Sequence, residues 1–333
     1  MSRNVLVTSW RLQGKRLAMV ERELARRDCT LLAMPPERTF DEGQFRHLLT
    51  QADALAFGYG PNLDGALMDA APRLKVIATI SIGYDHIDLQ AASERGIVVA
   101  NSVGCNQHNV AELAFSMMLA LVKKLLPHDR MVRSGEWGDD DDDGVSTELW
   151  DKTLGVIGLG RIGKAVALLG KAFGMRVLAT DIAWDITFAD AHGISYVPLE
   201  TLLQQADLVT VHTPLTAQTR GLLNAERIGW MKPSAYLINT ARGPIVEEGA
   251  LVAALREGRI AGAGLDVFAV EPYPDNPYAE FENVVLTPHI GGSAVESLER
   301  MFQLALINAA NVLDGLPAHN QVNPGITPRV VAG

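Results

Sequence analysis

Thr153-Leu-Gly-Val-Ile-Gly-Leu-Gly-Arg-Ile-Gly163, continuing through Arg176-Val-Leu-Ala-Thr-Asp181, decides how the rest of the chain is read. The apolar run 154–157 reads as a buried parallel strand. It ends in Gly158-Leu159-Gly160-Arg161-Ile162-Gly163, helical spacing follows to Phe173, and a second apolar run closes on Asp181. Strand, glycine turn, helix, strand and acid within about 30 residues form the context that a dinucleotide fingerprint requires. Gly158 permits the tight turn, Gly160 lets the backbone approach a pyrophosphate, and Gly163 lets helix and strand pack closely. The helix start supplies free N–H groups and a partial positive charge for phosphates. Asp181 can accept from a ribose diol and would repel a 2′-phosphate, and Ile182 and Ala183 bring no cation for one. The cofactor expected is therefore NAD rather than NADP.

Working outward, residues 154–158, 176–180, 208–213, 235–240, 262–267 and 284–287 read as the strands of a doubly wound sheet. Towards the N-terminus, short apolar runs at Val5–Thr8, Thr30–Met34, Ala54–Phe57, Lys75–Ile80 and Ile97–Ala100 alternate with helical patterns near 14–27, 41–50, 63–70 and 88–95. Such alternation predicts a second parallel sheet with helices on both faces. Residues 107–127 read as one apolar helix stopped by Pro127, suited to packing between domains or subunits. Residues 134–153, with Trp137 and the run Asp139 to Asp143, read as a solvated loop. Residues 293–314 are helical again and are expected to return to the first sheet, which lacks a closing helix. A tail without a pattern of its own follows. The expected class is α/β with two doubly wound parallel-sheet domains: a flavodoxin-like domain split between 1–101 and 293–333, and an inserted Rossmann domain over 102–292.

Composition limits the function. A length of 333 residues allows about two domains, and 48% apolar and 20% charged residues are ordinary for a globular chain. The net charge of −10 argues against nucleic acid or an anionic membrane as a general partner. Cys29 and Cys105 form no metal or redox spacing, so no metal is expected and a reduced, cytoplasmic compartment is the simple reading. The first strand begins almost at once, which leaves no room for a signal peptide. The apolar stretch 111–122 is too short to span a bilayer.

Three residues fall just past strand ends of the second sheet, where open α/β sheets place ligands: Arg242, Glu271 and His289. A guanidinium binds a carboxylate through two contacts and polarises a neighbouring carbonyl. An imidazole exchanges a proton near neutral pH, and a carboxylate beside it favours the protonated form and sets the tautomer. Singly, each is an ordinary surface arginine, acid or loop histidine. Together they make a catalytic set for hydride chemistry, with His289 as the proton donor. His212 lies near the cofactor by its place before Thr213-Pro214.

At these residues the chain resembles the D-isomer-specific 2-hydroxyacid dehydrogenases. The similarity runs through Ser81 to Asp88, Asn109 to Leu113, Lys152 to Gly163, His212 to Thr216, Asn239 to Val246, Gly264 to Pro272 and Thr287 to Gly292. The resemblance implies a split substrate domain, an inserted NAD domain and a cleft that closes over substrate. It assigns catalysis to Arg242, Glu271 and His289, and pyrophosphate binding to the backbone at Arg161 and Ile162. It implies further cofactor contacts at Thr213, Thr240, Ala241, Asp266, Gly291 and Gly292. Substrate binding falls to Ile82, Gly83, Asn106 and Arg242, with the N–H groups around Ile82 and Gly83 holding a carboxylate. The family's dimers are built on the helix corresponding to 107–127, so a homodimer is expected. Trp137 is read as a packed loop anchor, with donation to a partner's site as the alternative. The phosphoglycerate dehydrogenases of the family bind their phosphate through arginines whose places here are Gly58 and Thr79, and the chain ends where their regulatory domain would begin. An unphosphorylated 2-oxoacid of the glyoxylate, hydroxypyruvate or ketogluconate type is therefore expected, with D-3-phosphoglycerate as the alternative. An NAD-sensing corepressor-like protein is the non-enzymatic alternative, and no recruitment tail is evident.

Overall fold

The computed structural model describes residues 3–34, 41–137 and 145–329. The aspartate run 139–143 lies outside them. The chain divides into two compact units, 1–106 with 293–333, and 107–292.

The first unit carries a five-stranded, all-parallel sheet. Its strands are β1 (Arg3–Thr8), β2 (Cys29–Ala33), β3 (Ala54–Phe57), β4 (Val76–Thr79) and β5 (Val98–Ala100), in the order β2-β1-β3-β4-β5. The side-chain period of two sends alternate residues to opposite faces. Val5, Val7, Ala54, Ala56, Val76 and Ala78 bury against helices Gly14–Ala25 and Val295–Leu313. Leu6, Leu55, Phe57 and Ile77 bury on the other side, against helices Glu42–Leu49 and Gly65–Asp69. The returning helix thus covers apolar sheet surface that the first hundred residues leave open. Connections change face between β1 and β3, the switch point at which such sheets open a crevice.

The segment after that helix is more ordered than its composition suggests. It runs along β5, the edge strand, with Gln321 bridged to Ala100. Asn323 is 6% exposed; it accepts from Val99 N–H (2.8 Å) and donates to Ile97 C=O (2.9 Å). The tail therefore closes the unpaired edge that an open sheet would otherwise present. Asn323→Ala leaves a buried donor and a buried acceptor without partners. A loss of about 2 kcal/mol is expected, read as a lower midpoint in urea unfolding.

The second unit holds a seven-stranded parallel sheet. Its strands are β6 (Thr153–Ile157), β7 (Arg176–Thr180), β8 (Ile194–Tyr196), β9 (Leu208–Val211), β10 (Tyr236–Asn239), β11 (Gly262–Leu265) and β12 (Val284–Leu286). The order β12-β11-β10-β9-β6-β7-β8 is the Rossmann arrangement with one strand added at the β11 edge. The fold-class expectation holds: both sheets are parallel throughout and interleaved with helices. The sequence reading missed β8, a three-residue strand directly after Gly193, too short to show a periodicity.

The expected helix 107–127 is two helices, Gln107–Val122 and Leu125–Arg133. A proline at 127 removes the N–H that would bond to the Lys123 carbonyl and crowds that carbonyl. The chain breaks there, Lys124 turns left-handed (φ 48°), and Pro127 falls in the first turn of the next helix, where its missing N–H costs nothing. Trp137 is 89% exposed, so it is not a packed anchor. Among the described residues no helix is long and apolar enough to cross a membrane.

Candidate active site

The glycine turn after β6 is built by contact. Gly158 has φ 91°, and a Cβ on it would lie 2.8 Å from the His212 and Thr213 backbone. A Cβ on Gly163 would fall 2.0 Å from the Gly158 carbonyl oxygen, so the helix starts against the turn itself. Gly160, the residue before helix Arg161–Ala172, faces open space: a Cβ there meets nothing within 4 Å. Lys164 N–H bonds to the Gly160 carbonyl, while the N–H groups of Arg161, Ile162 and Gly163 have no acceptor among the described residues. Three free donors at a helix start beside an open backbone cradle suit a pyrophosphate.

Asp181 stands at the end of β7. Its carboxylate accepts from Leu159 N–H (2.6 Å) and Ala183 N–H (3.0 Å), which aims it across the mouth of the turn. On the far side of β6, His212 pairs through Nε2 with Thr210 Oγ1 at 2.8 Å. Burial pushes its pKa down to about 3, so the ring is neutral at physiological pH. His212 Nδ1 and Thr240 Oγ1 are buried and have no hydrogen-bond partner among the described residues. Orphaned buried polar atoms carry a cost, and these two, past β9 and β10, are places where a bound dinucleotide would supply partners. The residues present fit NAD.

Arg242, Glu271 and His289 follow β10, β11 and β12, which are neighbours in the sheet. Asn239, 1% exposed at the end of β10, bridges the first loop: it accepts from Ala241 N–H (3.0 Å) and donates to Arg242 C=O (3.0 Å). Gly243 then passes so close to the next loop that a Cβ would lie 2.0 Å from the Phe268 carbonyl carbon. This close approach ties the arginine loop to the loop that carries Glu271. Glu271 accepts from Phe268 N–H through Oε1 (3.0 Å) and meets His289 Nδ1 through Oε2 at 2.6 Å. Burial works to raise the Glu271 carboxyl. The hydrogen bond and charge of His289, the Phe268 N–H and the Arg242 charge outweigh it and hold the carboxyl below its ordinary range.

His289 is held by its backbone in the left-handed region (φ 52°), uncommon for a residue with a side chain. Asp266 supports that turn. It is 1% exposed and accepts from Thr287 Oγ1 (2.6 Å), Ile290 N–H (2.8 Å) and Gly291 N–H (2.9 Å), while its own carbonyl accepts from His289 N–H (2.8 Å). Asn109, in helix Gln107–Val122, donates to Gly291 C=O at 2.6 Å. With Nδ1 on Glu271, the imidazole is left with Nε2 for a substrate oxygen.

Some expected contacts are differently employed. Gly291 spends its N–H on Asp266 and its carbonyl accepts from Asn109, and Ala241 spends its N–H on Asn239 while its carbonyl accepts from Arg242 Nη1. Both serve the loops rather than offering a free N–H to a cofactor. Thr213 and Gly292 lie part-exposed beside these turns. The bridging residues Asn239, Asn109, Gly243 and Thr287 escaped the sequence reading as site residues. An asparagine ending a strand just before a candidate arginine is the one signal that points to such a bridge.

In the first unit, Ile82 and Gly83 sit in the loop after β4, with Asn106 nearer the end of that segment. Three successive carbonyls of this loop are engaged. Ser81 C=O accepts from Thr79 Oγ1 (2.7 Å) and Ser102 N–H (2.9 Å), Ile82 C=O from Asn101 (2.8 Å), and Gly83 C=O from Ser81 Oγ (2.8 Å). The N–H groups of Ile82 and Gly83 have no acceptor among the described residues. A loop with its carbonyls pinned and its N–H groups open is an anion nest. Asn106 Oδ1 is buried and also lacks a partner among the described residues.

The chain is similar to known proteins. The family model described as D-isomer specific 2-hydroxyacid dehydrogenase, NAD binding domain, matches residues 115–291. A glyoxylate reductase of Thermofilum pendens is 45% identical over 268 residues, 79% of each chain. A D-3-phosphoglycerate dehydrogenase of Synechocystis is 40% identical over 87% of this chain but 52% of its own length. The crystal structure of D-lactate dehydrogenase from Aquifex aeolicus, complexed with NAD and lactic acid, superposes with a TM-score of 0.85 at 32% identity, covering 96% of this chain and 99% of that one.

Proposed function

The chain belongs to the D-isomer specific 2-hydroxyacid dehydrogenase family, NAD-dependent oxidoreductases that interconvert 2-hydroxyacids and 2-oxoacids, and we propose that its substrate is a small unphosphorylated 2-oxoacid of the glyoxylate or hydroxypyruvate type. One observation carries the substrate reading. A Cβ on Gly58 would lie 2.8 Å from the Thr8 carbonyl oxygen, and Thr79 is fully buried with its hydroxyl spent on Ser81. Neither place can hold a guanidinium without moving β1 or opening the core. A phosphate dianion there gains no charge-assisted hydrogen bond, each worth about 1.5–3 kcal/mol. The glyoxylate reductase among the relatives points the same way.

NADH, when bound, supplies the hydride that reduces the carbonyl carbon. Within the first unit, the open N–H groups of Ile82 and Gly83 suit the carboxylate of such an acid. The Arg242 fork binds the substrate and draws electron density onto the carbonyl oxygen. His289 Nε2 delivers the proton to that oxygen, and Glu271 holds the ring through Nδ1 and stabilises its charged form. In oxidation His289 takes the proton back. The N–H groups of Arg161, Ile162 and Gly163 would hold the pyrophosphate, and Asp181 the ribose diol. The first unit is the substrate domain and the second the cofactor domain. We also infer a cytoplasmic homodimer. Two buried free cysteines fit a reducing compartment, and the exposed Leu125, Phe173 and Trp150 of the second unit fit a subunit contact. Trp137, left exposed, fits donation to a partner's site.

NADH consumption measured with glyoxylate, hydroxypyruvate, 2-ketogluconate, phenylpyruvate and 3-phosphohydroxypyruvate tests the substrate class. An unphosphorylated acid should give the highest kcat/KM. Preference for the phosphorylated one would refute the reading of Gly58 and Thr79.

The role of Glu271 has its own test. Its folded-state value lies below its unfolded one, so the pair with His289 is present above the ordinary carboxylate range and is lost as pH falls through the lowered value. Glu271→Gln removes the counter-charge to the imidazolium. Any acid-side loss of rate that comes from protonating the Glu271 carboxylate should then vanish from the pH profile, with the affinity for NADH unchanged. A pH profile identical to that of the wild type would remove Glu271 from the proton path.

A further inference from the structure

Resting on the NAD reading, we propose that Asp185 is a second determinant of cofactor choice, holding Lys164 away from any phosphate on the adenosine 2′ position. Asp181 alone explains repulsion. A site that accepts a 2′-phosphate also needs a cation, and the chain has one close by.

Lys164 lies in the first turn of helix Arg161–Ala172, the helix whose open N–H groups suit the pyrophosphate. Its side chain comes down on the loop 181–185, whose other end is Asp181. There the ammonium donates to Asp185 Oδ2 and lies 4.8 Å above the ring of Phe188. The carboxylate neutralises it and the ring face occupies a further side.

Asp185 is fixed for this task. Oδ1 accepts from Phe188 N–H (3.0 Å), and its own N–H donates to the Tyr196 hydroxyl (3.0 Å). Trp184 stacks on Tyr196, with centroids 4.8 Å apart and planes within 5°, and its indole N–H donates to Asp181 C=O at 2.8 Å. The loop from Asp181 to Asp185 is therefore one bonded unit with a carboxylate at each end. One faces the glycine turn; the other holds the lysine. The Asp185 carboxyl is kept below its usual range, first by the Lys164 hydrogen bond and then by the Phe188 N–H, so it stays ionised at working pH. Trp184 and Tyr196 are positioning residues, since they act through the loop.

The test compares Asp181→Ser, Asp181→Ser with Asp185→Ser, and that pair with Lys164→Met added. Serine at 185 keeps an acceptor for the helix start while releasing the lysine. The readouts are calorimetric affinity for adenosine 2′,5′-bisphosphate against 5′-AMP, with no substrate present, and kcat/KM for NADPH against NADH. Adding Asp185→Ser should strengthen binding of the 2′,5′-bisphosphate by about tenfold beyond Asp181→Ser, as one charge-assisted contact provides. Affinity for 5′-AMP should stay level, and Lys164→Met should abolish the gain. No gain from Asp185→Ser, or a gain that survives Lys164→Met, overturns the proposal. A wild-type protein that binds both nucleotides equally overturns the NAD reading and the proposal with it, an outcome visible before any substitution.

Discussion

His289→Gln is expected to lower kcat by about a thousandfold, within the usual range for a positioned acid–base group. Glutamine can still hydrogen-bond a carbonyl oxygen but cannot release a proton to it. The loss should fall on turnover, because nothing else the site does depends on the ring. Asp266 holds the turn through Thr287 and the N–H groups of Ile290 and Gly291, and the His289 backbone N–H remains bonded to Asp266 C=O. The affinity for NADH, read from quenching of tryptophan fluorescence, should therefore stay within about twofold, a shift of under 1 kcal/mol. Wild-type turnover in the variant would place the proton donor elsewhere. A tenfold weaker NADH affinity would mean that the turn has collapsed, and Glu271→Gln would then be the cleaner probe.

Arg242→Gln should cost about a thousandfold in kcat/KM for the 2-oxoacid. On the proposed reading the fork would make two charge-assisted hydrogen bonds to the acid, each about 1.5–3 kcal/mol, and glutamine keeps neither the charge nor the paired geometry. Arg242→Lys should recover only part of this, because an ammonium presents a point charge rather than a fork. The arginine is pre-set: Nη1 donates to Ala241 C=O at 2.7 Å, and Asn239 holds the Arg242 carbonyl. Removing it also withdraws a positive charge that helps keep the Glu271 carboxyl low. Both KM and kcat should worsen if, as proposed, the guanidinium binds the acid in the ground state and stabilises the oxygen as charge develops on it. A variant with unchanged kcat/KM would exclude Arg242 from substrate contact.

Much of this protein is legible in one dimension because the signals are local. The glycine turn works through neighbours in sequence: Gly163 against Gly158, and Gly158 against the start of the β9 loop. Apolar runs with helices between them dictate parallel sheets. The reading failed where length or context outweighed pattern. β8 is three residues long and borrows its partners from β7. Pro127 marks the end of a helix in sequence, but its steric reach breaks the chain between Val122 and Leu125. Trp137 looked like an anchor because aromatic residues usually bury, and sequence carries no sign of which surface is left bare.

The sequence by itself determined the fold class, the dinucleotide turn, the acid that closes the second strand and the residue types that can carry the chemistry. These depend on backbone sterics and on periods of two and 3.6 residues, which any stretch of chain expresses alone. Only the tertiary structure decided which groups meet. The bond of 2.6 Å between Glu271 and His289 joins loops after different strands, and the Asp266 contacts that set the His289 turn span 21 to 25 residues. The pinned carbonyls that leave Ile82 and Gly83 with open N–H groups depend on Asn101 and Ser102, past the next strand. Whether Lys164 serves a phosphate or a carboxylate is decided the same way, by a loop that folds back onto its helix. Hydrogen bonds require contact within about 3 Å, and contacts between segments remote in sequence arise only once the sheet has set its neighbours.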